Sequence, residues 1–80
     1  MVYDPDKLLS TLKENCNRKI ELYIPDDDKM VRGRIKNAVL GKDLVVTLQH
    51  CEIEERGSVR YSVMYKVRLP PTGAELRILG

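Results

Sequence analysis

Leu8, Leu9, Leu12 and Cys16 recur at offsets of one, four and eight, which draws an apolar stripe along one side of a helix. Asp4 ahead of Pro5 supplies the start. The carboxylate can accept from open N–H groups, and the proline ring suits the first helical position. Asn15 and Asn17 loosen the other end, so the pattern predicts a helix over residues 5–15. After it the period changes to two. Ile20, Leu22 and Ile24 alternate with Lys19, Glu21 and Tyr23, which predicts a half-buried strand over 19–25. Pro25-Asp26-Asp27-Asp28 closes that strand as a solvated turn, because no further carboxylates continue the spacing of a calcium loop.

A second strand over 30–39 carries Val31, Ile35 and Val39, with Gly33 in its middle. An isolated glycine inside a strand marks a bulge or a sharp bend. Leu40-Gly41-Lys42-Asp43 is a tight turn, and Leu44-Val45-Val46-Thr47-Leu48 opens a third strand over 44–55. Glu55-Arg56-Gly57-Ser58 breaks the chain again. The fourth strand, 59–69, alternates most cleanly. Val59, Tyr61, Val63, Tyr65, Val67 and Leu69 fall on one face, and that face, both tyrosines included, is expected to pack in the core. Pro70-Pro71-Thr72-Gly73 stops it, and a short fifth strand follows over 75–79. Five short strands of this kind leave uncomfortable edges in a flat sheet, and curling hides most of them. The expected fold is therefore mainly β: an N-terminal α-helix, then a five-stranded, strongly bent SH3-like barrel, as one domain over 1–80. An OB-type barrel is disfavoured because the helix leads all five strands.

Composition changes this picture in two ways. Eighty residues build a small core, so association with further copies of the chain becomes an expected source of stability. Fourteen Lys and Arg against twelve Asp and Glu leave a net charge of only +2, which permits contact with nucleic acid without demanding it. No apolar run approaches a membrane span, and the acidic start lacks the apolar stretch of a leader. Two cysteines, Cys16 and Cys51, with no leader fit a reducing compartment, and a cytoplasmic location is expected. One histidine and two cysteines are too few for a closed zinc site, and no metal, cofactor or small-molecule substrate is expected. His50 and Cys51 are neighbours on a strand and point to opposite faces, so they form no dyad and an enzyme is not expected.

Gly33, Ile35 two residues later, the turn Leu40-Gly41-Lys42-Asp43 and the strand Leu44-Val45-Val46-Thr47-Leu48 stand at a spacing that resembles the first motif of the Sm/LSm family. The resemblance is densest over 31–54, and the order of elements extends it over nearly the whole chain. It implies a homo-oligomeric ring in which the last strand pairs with the fourth strand of a neighbour. It also implies single-stranded RNA held where the turns 40–43 and 70–74 converge, by Lys42, by Asp43 accepting a base hydrogen bond, and by backbone amides. The site residues so implied are Gly41, Lys42, Asp43, Thr72 and Gly73. Gly41 stands where the family usually has a stacking aromatic or histidine, Asp43 stands where it has Asn, and the second turn lacks the usual arginine. Sequence preference is therefore expected to be weak. Arg32, Arg34 and Lys36 share one face of the second strand and are expected to be ordinary solvated strand residues, with phosphate contact as the alternative. The rival expectation is a protein-interaction barrel that binds no RNA, for instance a phage or viral assembly factor.

Overall fold

The computed structural model describes residues 4–80. Helix α1 (Pro5–Glu14) precedes five strands: β1 (Lys19–Ile24), β2 (Lys29–Leu40), β3 (Leu44–Glu55), β4 (Ser58–Leu69) and β5 (Glu75–Ile78). Asp4 Oδ1 accepts from the backbone N–H groups of Asp6 and Lys7 at 3.1 and 3.2 Å, which caps the helix. Leu12 is fully buried and fastens α1 to the sheet, with Leu8 and Leu9 packed alongside. A short 3-10 turn, Pro25–Asp27, links β1 to β2. All neighbouring strands are antiparallel, in the order β4-β3-β2-β1-β5. This is the helix-first, strongly bent β fold that the hydrophobic pattern predicts.

The bend is built at Gly33. Arg32 pairs with Glu52, but Arg34 pairs with Gln49, so His50 and Cys51 together occupy the space opposite one glycine. His50 takes a left-handed backbone (φ +52°), which is uncommon for a residue with a side chain but better tolerated by histidine than by branched ones. A Cβ on Gly33 would stand 3.1 Å from Cys51 Sγ and from the Gln49 carbonyl oxygen, so only glycine lets the strands close this tightly. A second irregularity, between Ile35 and Asn37, adds to the curl.

The extra residue at His50 also changes which positions of β3 face inward. Leu44, Val46 and Leu48 are buried before it, whereas Cys51 and Ile53 are buried after it. Residues paired across antiparallel strands share a face, and the β3–β4 register runs on without a slip, from Leu44↔Leu69 to Glu55↔Ser58. The inward side of β4 therefore switches as well. Val67 and Leu69 lie in the core and Tyr65 is half-buried against it. Beyond Tyr65 the partners of Cys51 and Ile53 are Ser62 and Arg60, so Val59, Tyr61 and Val63 are turned out. Tyr61 is 76% exposed, Val63 74% and Val59 50%. The unbroken inward face expected for β4 is thus corrected to its C-terminal half. The alternation is real, but the sheet it belongs to folds over in the middle.

The β3–β4 hairpin turns on Arg56 (φ +49°) and Gly57 (φ +83°), the paired left-handed residues of a two-residue hairpin loop. Among the described residues, β4 pairs only with β3 and β5 only with β1, so both outer strands present an unpaired edge. The edge of β5 carries partly exposed Ile78, and Leu79 follows it.

Candidate nucleic-acid interface

Leu40 pairs with Leu44 and Leu44 with Leu69, so the β2–β3 turn and the end of β4 are brought side by side by the sheet itself. Lys42 and Asp43 then face Pro70 and Pro71 across a hollow of ≈ 240 Å³, with Pro5 at its rim. Only the start of the second turn, Pro70-Pro71, comes alongside the 40–43 turn within one chain. On the other side of the same turn, Val39, Gly41, Lys42, Asp43, Val45 and Arg68 line a second hollow of ≈ 250 Å³.

The five residues expected to form the site divide between two places. Gly41, Lys42 and Asp43 are together: Gly41 donates its N–H to the Asp43 carbonyl at 3.2 Å, and Lys42 stands exposed beyond them. The Asp43 carboxylate is 3.8 Å from Arg68 Nε, an ion pair that competes with any base for its acceptor capacity. Thr72 and Gly73 lie elsewhere, on a groove of ≈ 530 Å³ between α1 and β5 that Leu8, Thr11 and Leu76 also line. Gly73 is buried with φ +96° and donates its N–H to the Pro70 carbonyl at 2.9 Å, so that amide is committed within the turn. The Thr72 hydroxyl donates to Asp26 Oδ2.

The three cations of β2 are also divided. Arg32 is neutralised: its Nε donates to Glu21 Oε2 at 2.7 Å and its Nη1 to Glu52 Oε2 at 2.9 Å, with Glu54 at 3.9 Å. Those carboxylates hold its guanidinium above its already high ordinary pKa, Glu21 first and Glu52 second. Arg34 and Lys36 are exposed and, among the described residues, make no ion pair. Lys66 is likewise unpaired, and Arg68 has only the long contact to Asp43. Through the pairs Thr47↔Lys66 and Val45↔Arg68, these β4 cations lie across the outside of the sheet from the β2 side. One half of the outer sheet is therefore an internally compensated acidic network, and the other half is a strip of Arg34, Lys36, Lys66, Arg68 and Lys42.

Sequence reasoning passed over Lys66 and Arg68, and it placed Tyr61 in the core, where the structure turns it out to solvent. The signal for the first two is present, because both alternate with buried Val67 and Leu69. Tyr61 gives no such signal, since its outward position depends on the fold-over at His50. Tyr65 is where a core aromatic would be, and Lys29 Nζ donates to its hydroxyl at 3.1 Å while Glu55 lies 3.6 Å from the same ammonium. The Tyr65 hydrogen bond, against the opposing effect of burial, raises the Lys29 pKa above its ordinary value. His50 is exposed and Cys51 buried, on opposite sides of β3. Burial pushes the Cys51 thiol up, over a smaller opposing hydrogen bond from the Tyr65 backbone.

No helix among the described residues is long and apolar enough to cross a membrane. No model of a known protein family, no characterised protein and no solved structure matches the chain.

Proposed function

We propose that this chain is a cytoplasmic, non-enzymatic Sm-like protein whose copies join β4 edge to β5 edge into a ring that holds single-stranded RNA with weak sequence preference. One observation carries the assembly part: among the described residues both outer strands have one unpaired edge, and β4 bears Val59, Tyr61 and Val63 on a solvent-exposed surface. An edge that long and apolar invites another strand, and natural proteins cover or blunt such edges. Pairing each β4 with the β5 of the next copy covers both edges at once. The interface so formed is head-to-tail, and such interfaces close into rings when the rotation allows it.

The RNA part rests on the hollow beside the β2–β3 turn. Lys42 and Arg68 stand at its rim for phosphate contact, while exposed Val39 and neighbouring Val45 offer an apolar floor for a base. Repetition around a ring multiplies these few cations without a strongly basic chain. Gly41 and the ion-paired Asp43 supply neither a stacking ring nor a free base-reading amide, so discrimination between sequences should be weak.

Filter binding with oligo-U and with a scrambled oligonucleotide, for wild type and for Lys42→Ala, tests the reading. Binding to both oligonucleotides that weakens steeply with salt and falls in Lys42→Ala supports it. Absence of binding to either at low salt overturns it and leaves a ring that contacts proteins alone.

A further inference from the structure

A single row of side chains crosses all five strands on the outside of the sheet. Arg77 on β5 pairs with Glu21 on β1, Glu21 with Arg32 on β2, Arg32 with Glu52 on β3, and Glu52 with Tyr61 on β4. The side chains are linked as well as aligned. Arg77 Nη1 lies 3.9 Å from Glu21 Oε1, and Arg32 Nε donates to Glu21 Oε2 at 2.7 Å. Arg32 Nη1 donates to Glu52 Oε2 at 2.9 Å, and the Tyr61 hydroxyl donates to Glu52 Oε1 at 3.3 Å. Each carboxylate thus spends one oxygen on each neighbour. Both ends of the row reach an open edge of the sheet. Tyr61 ends it at the β4 edge with its ring exposed, and Arg77 ends it at the β5 edge with its side chain 75% exposed.

We infer that the row continues from copy to copy: Tyr61 of one chain packs against the Arg77 guanidinium of the next, which fixes the register of the β4–β5 pairing. The inference rests on the edge-to-edge assembly proposed above. Strands joined in a sheet must match faces, so admissible registers differ by steps of two residues. With the two strands antiparallel, as all neighbouring strands within the chain are, pairing Tyr61 with Arg77 places Val59 beside Leu79 and Val63 beside Glu75. Exposed valine then meets exposed leucine, and the aromatic face receives a cation, which it attracts electrostatically. A slip of two residues in one direction puts Arg77 beside Val63 and Tyr61 beside Leu79. A slip in the other puts Arg77 beside Val59 and the Tyr61 ring beside the Glu75 carboxylate. Only the first register gives the Arg77 charge a partner on both sides, Glu21 in its own chain and Tyr61 with Glu52 in the next.

Disulfide trapping tests this. In a Cys16→Ser background, with Cys51 left in the core, the pair Tyr61→Cys and Arg77→Cys is compared with the slipped pairs Val63→Cys with Arg77→Cys and Tyr61→Cys with Glu75→Cys. A two-residue slip moves a Cα by roughly 7 Å along the strand, outside the ~4.4–6.8 Å that a disulfide spans. The expected result is covalent multimers from the first pair at a yield at least about tenfold above either slipped pair. Preferential trapping of a slipped pair overturns the register while leaving the assembly intact. A wild-type chain that is monomeric by light scattering overturns the assembly and the register together. A second readout needs no cysteine. Tyr61→Arg should weaken association by roughly tenfold, because like charges then face each other across the strands, and adding Arg77→Glu should restore it. Unchanged association of Tyr61→Arg contradicts the proposal.

Discussion

Gly33 and Cys51 touch across the β2–β3 ladder so closely that a Cβ on the glycine would come within 3.1 Å of the Cys51 sulfur. That contact, with the left-handed His50 beside it, lets one sheet fold over on itself and turns half of β4 away from the core.

Gly33→Ala therefore should destabilise the fold by about 1–3 kcal/mol, the usual range for overpacking. Adding Cys51→Ala should recover only part of that loss, since the Gln49 carbonyl oxygen is as close as the sulfur. Urea titration of the single and double variants measures both. An unchanged midpoint for Gly33→Ala would contradict the role given to this contact.

Much of this fold is legible in the sequence. The offsets of Leu8, Leu9, Leu12 and Cys16, the Asp4-Pro5 start and the period of two in β1 place their elements within a residue or two of where they lie. Gly33 announced the bend. What the pattern could not carry was the consequence of that bend for a strand one further along. Val59, Tyr61 and Val63 alternate in perfect phase with Val67 and Leu69, and their outward position follows from an extra residue in β3, not from anything in β4. The candidate site divides on similar grounds. Lys42 and Asp43 belong to a hairpin whose position the strand register sets, whereas Gly73 turns its amide inward through a local hydrogen bond that composition does not reveal.

Replacing Arg32 by Met should leave Glu21 and Glu52 without their shared cation. The pairs are part-exposed, so the expected loss is modest, about 1 kcal/mol at low salt, and it should shrink as sodium chloride approaches about 1 M. Arg60→Met, which removes only an exposed 4.0 Å contact with Glu55, is the comparison and should change stability little. Equal losses in the two variants would argue against a network centred on Arg32.

Lys29 gives the molecule a dependence on alkaline pH. Its folded pKa is raised above the ordinary lysine value of 10.5, chiefly by the hydrogen bond with Tyr65. A group stabilised in its charged form contributes its full share below the unfolded pKa and loses it as pH climbs through the raised one. Wild type should therefore lose stability above pH 10.5 more steeply than Lys29→Met, and the two should differ most below that pH. Thermal melts across the alkaline range measure the difference. Parallel curves would show that the Lys29–Tyr65 contact contributes nothing.

The two thiols should behave differently. Cys51 is buried with its pKa pushed up, and Cys16 is exposed. A disulfide reagent at neutral pH should modify one thiol quickly in the native protein and both in strong urea, because the thiolate is the reactive form. Cys16→Ser should abolish the fast phase. Two fast thiols in the native state would mean that the core around Cys51 opens readily.

In the proposed assembly the open edge of β4, which carries exposed Tyr61 and Val63, pairs with β5 of another copy of the chain. Tyr61 and Val63 are so exposed in the single chain that replacing both by Asp should leave the monomer folded while removing the surface that joins copies. Light scattering of wild type and of the Tyr61→Asp, Val63→Asp variant, each with a circular dichroism spectrum, tests the claim most directly. Wild type should form a closed oligomer, and the variant a monomer with an unchanged spectrum. A monomeric wild type, or a variant that assembles as wild type does, would contradict the claim.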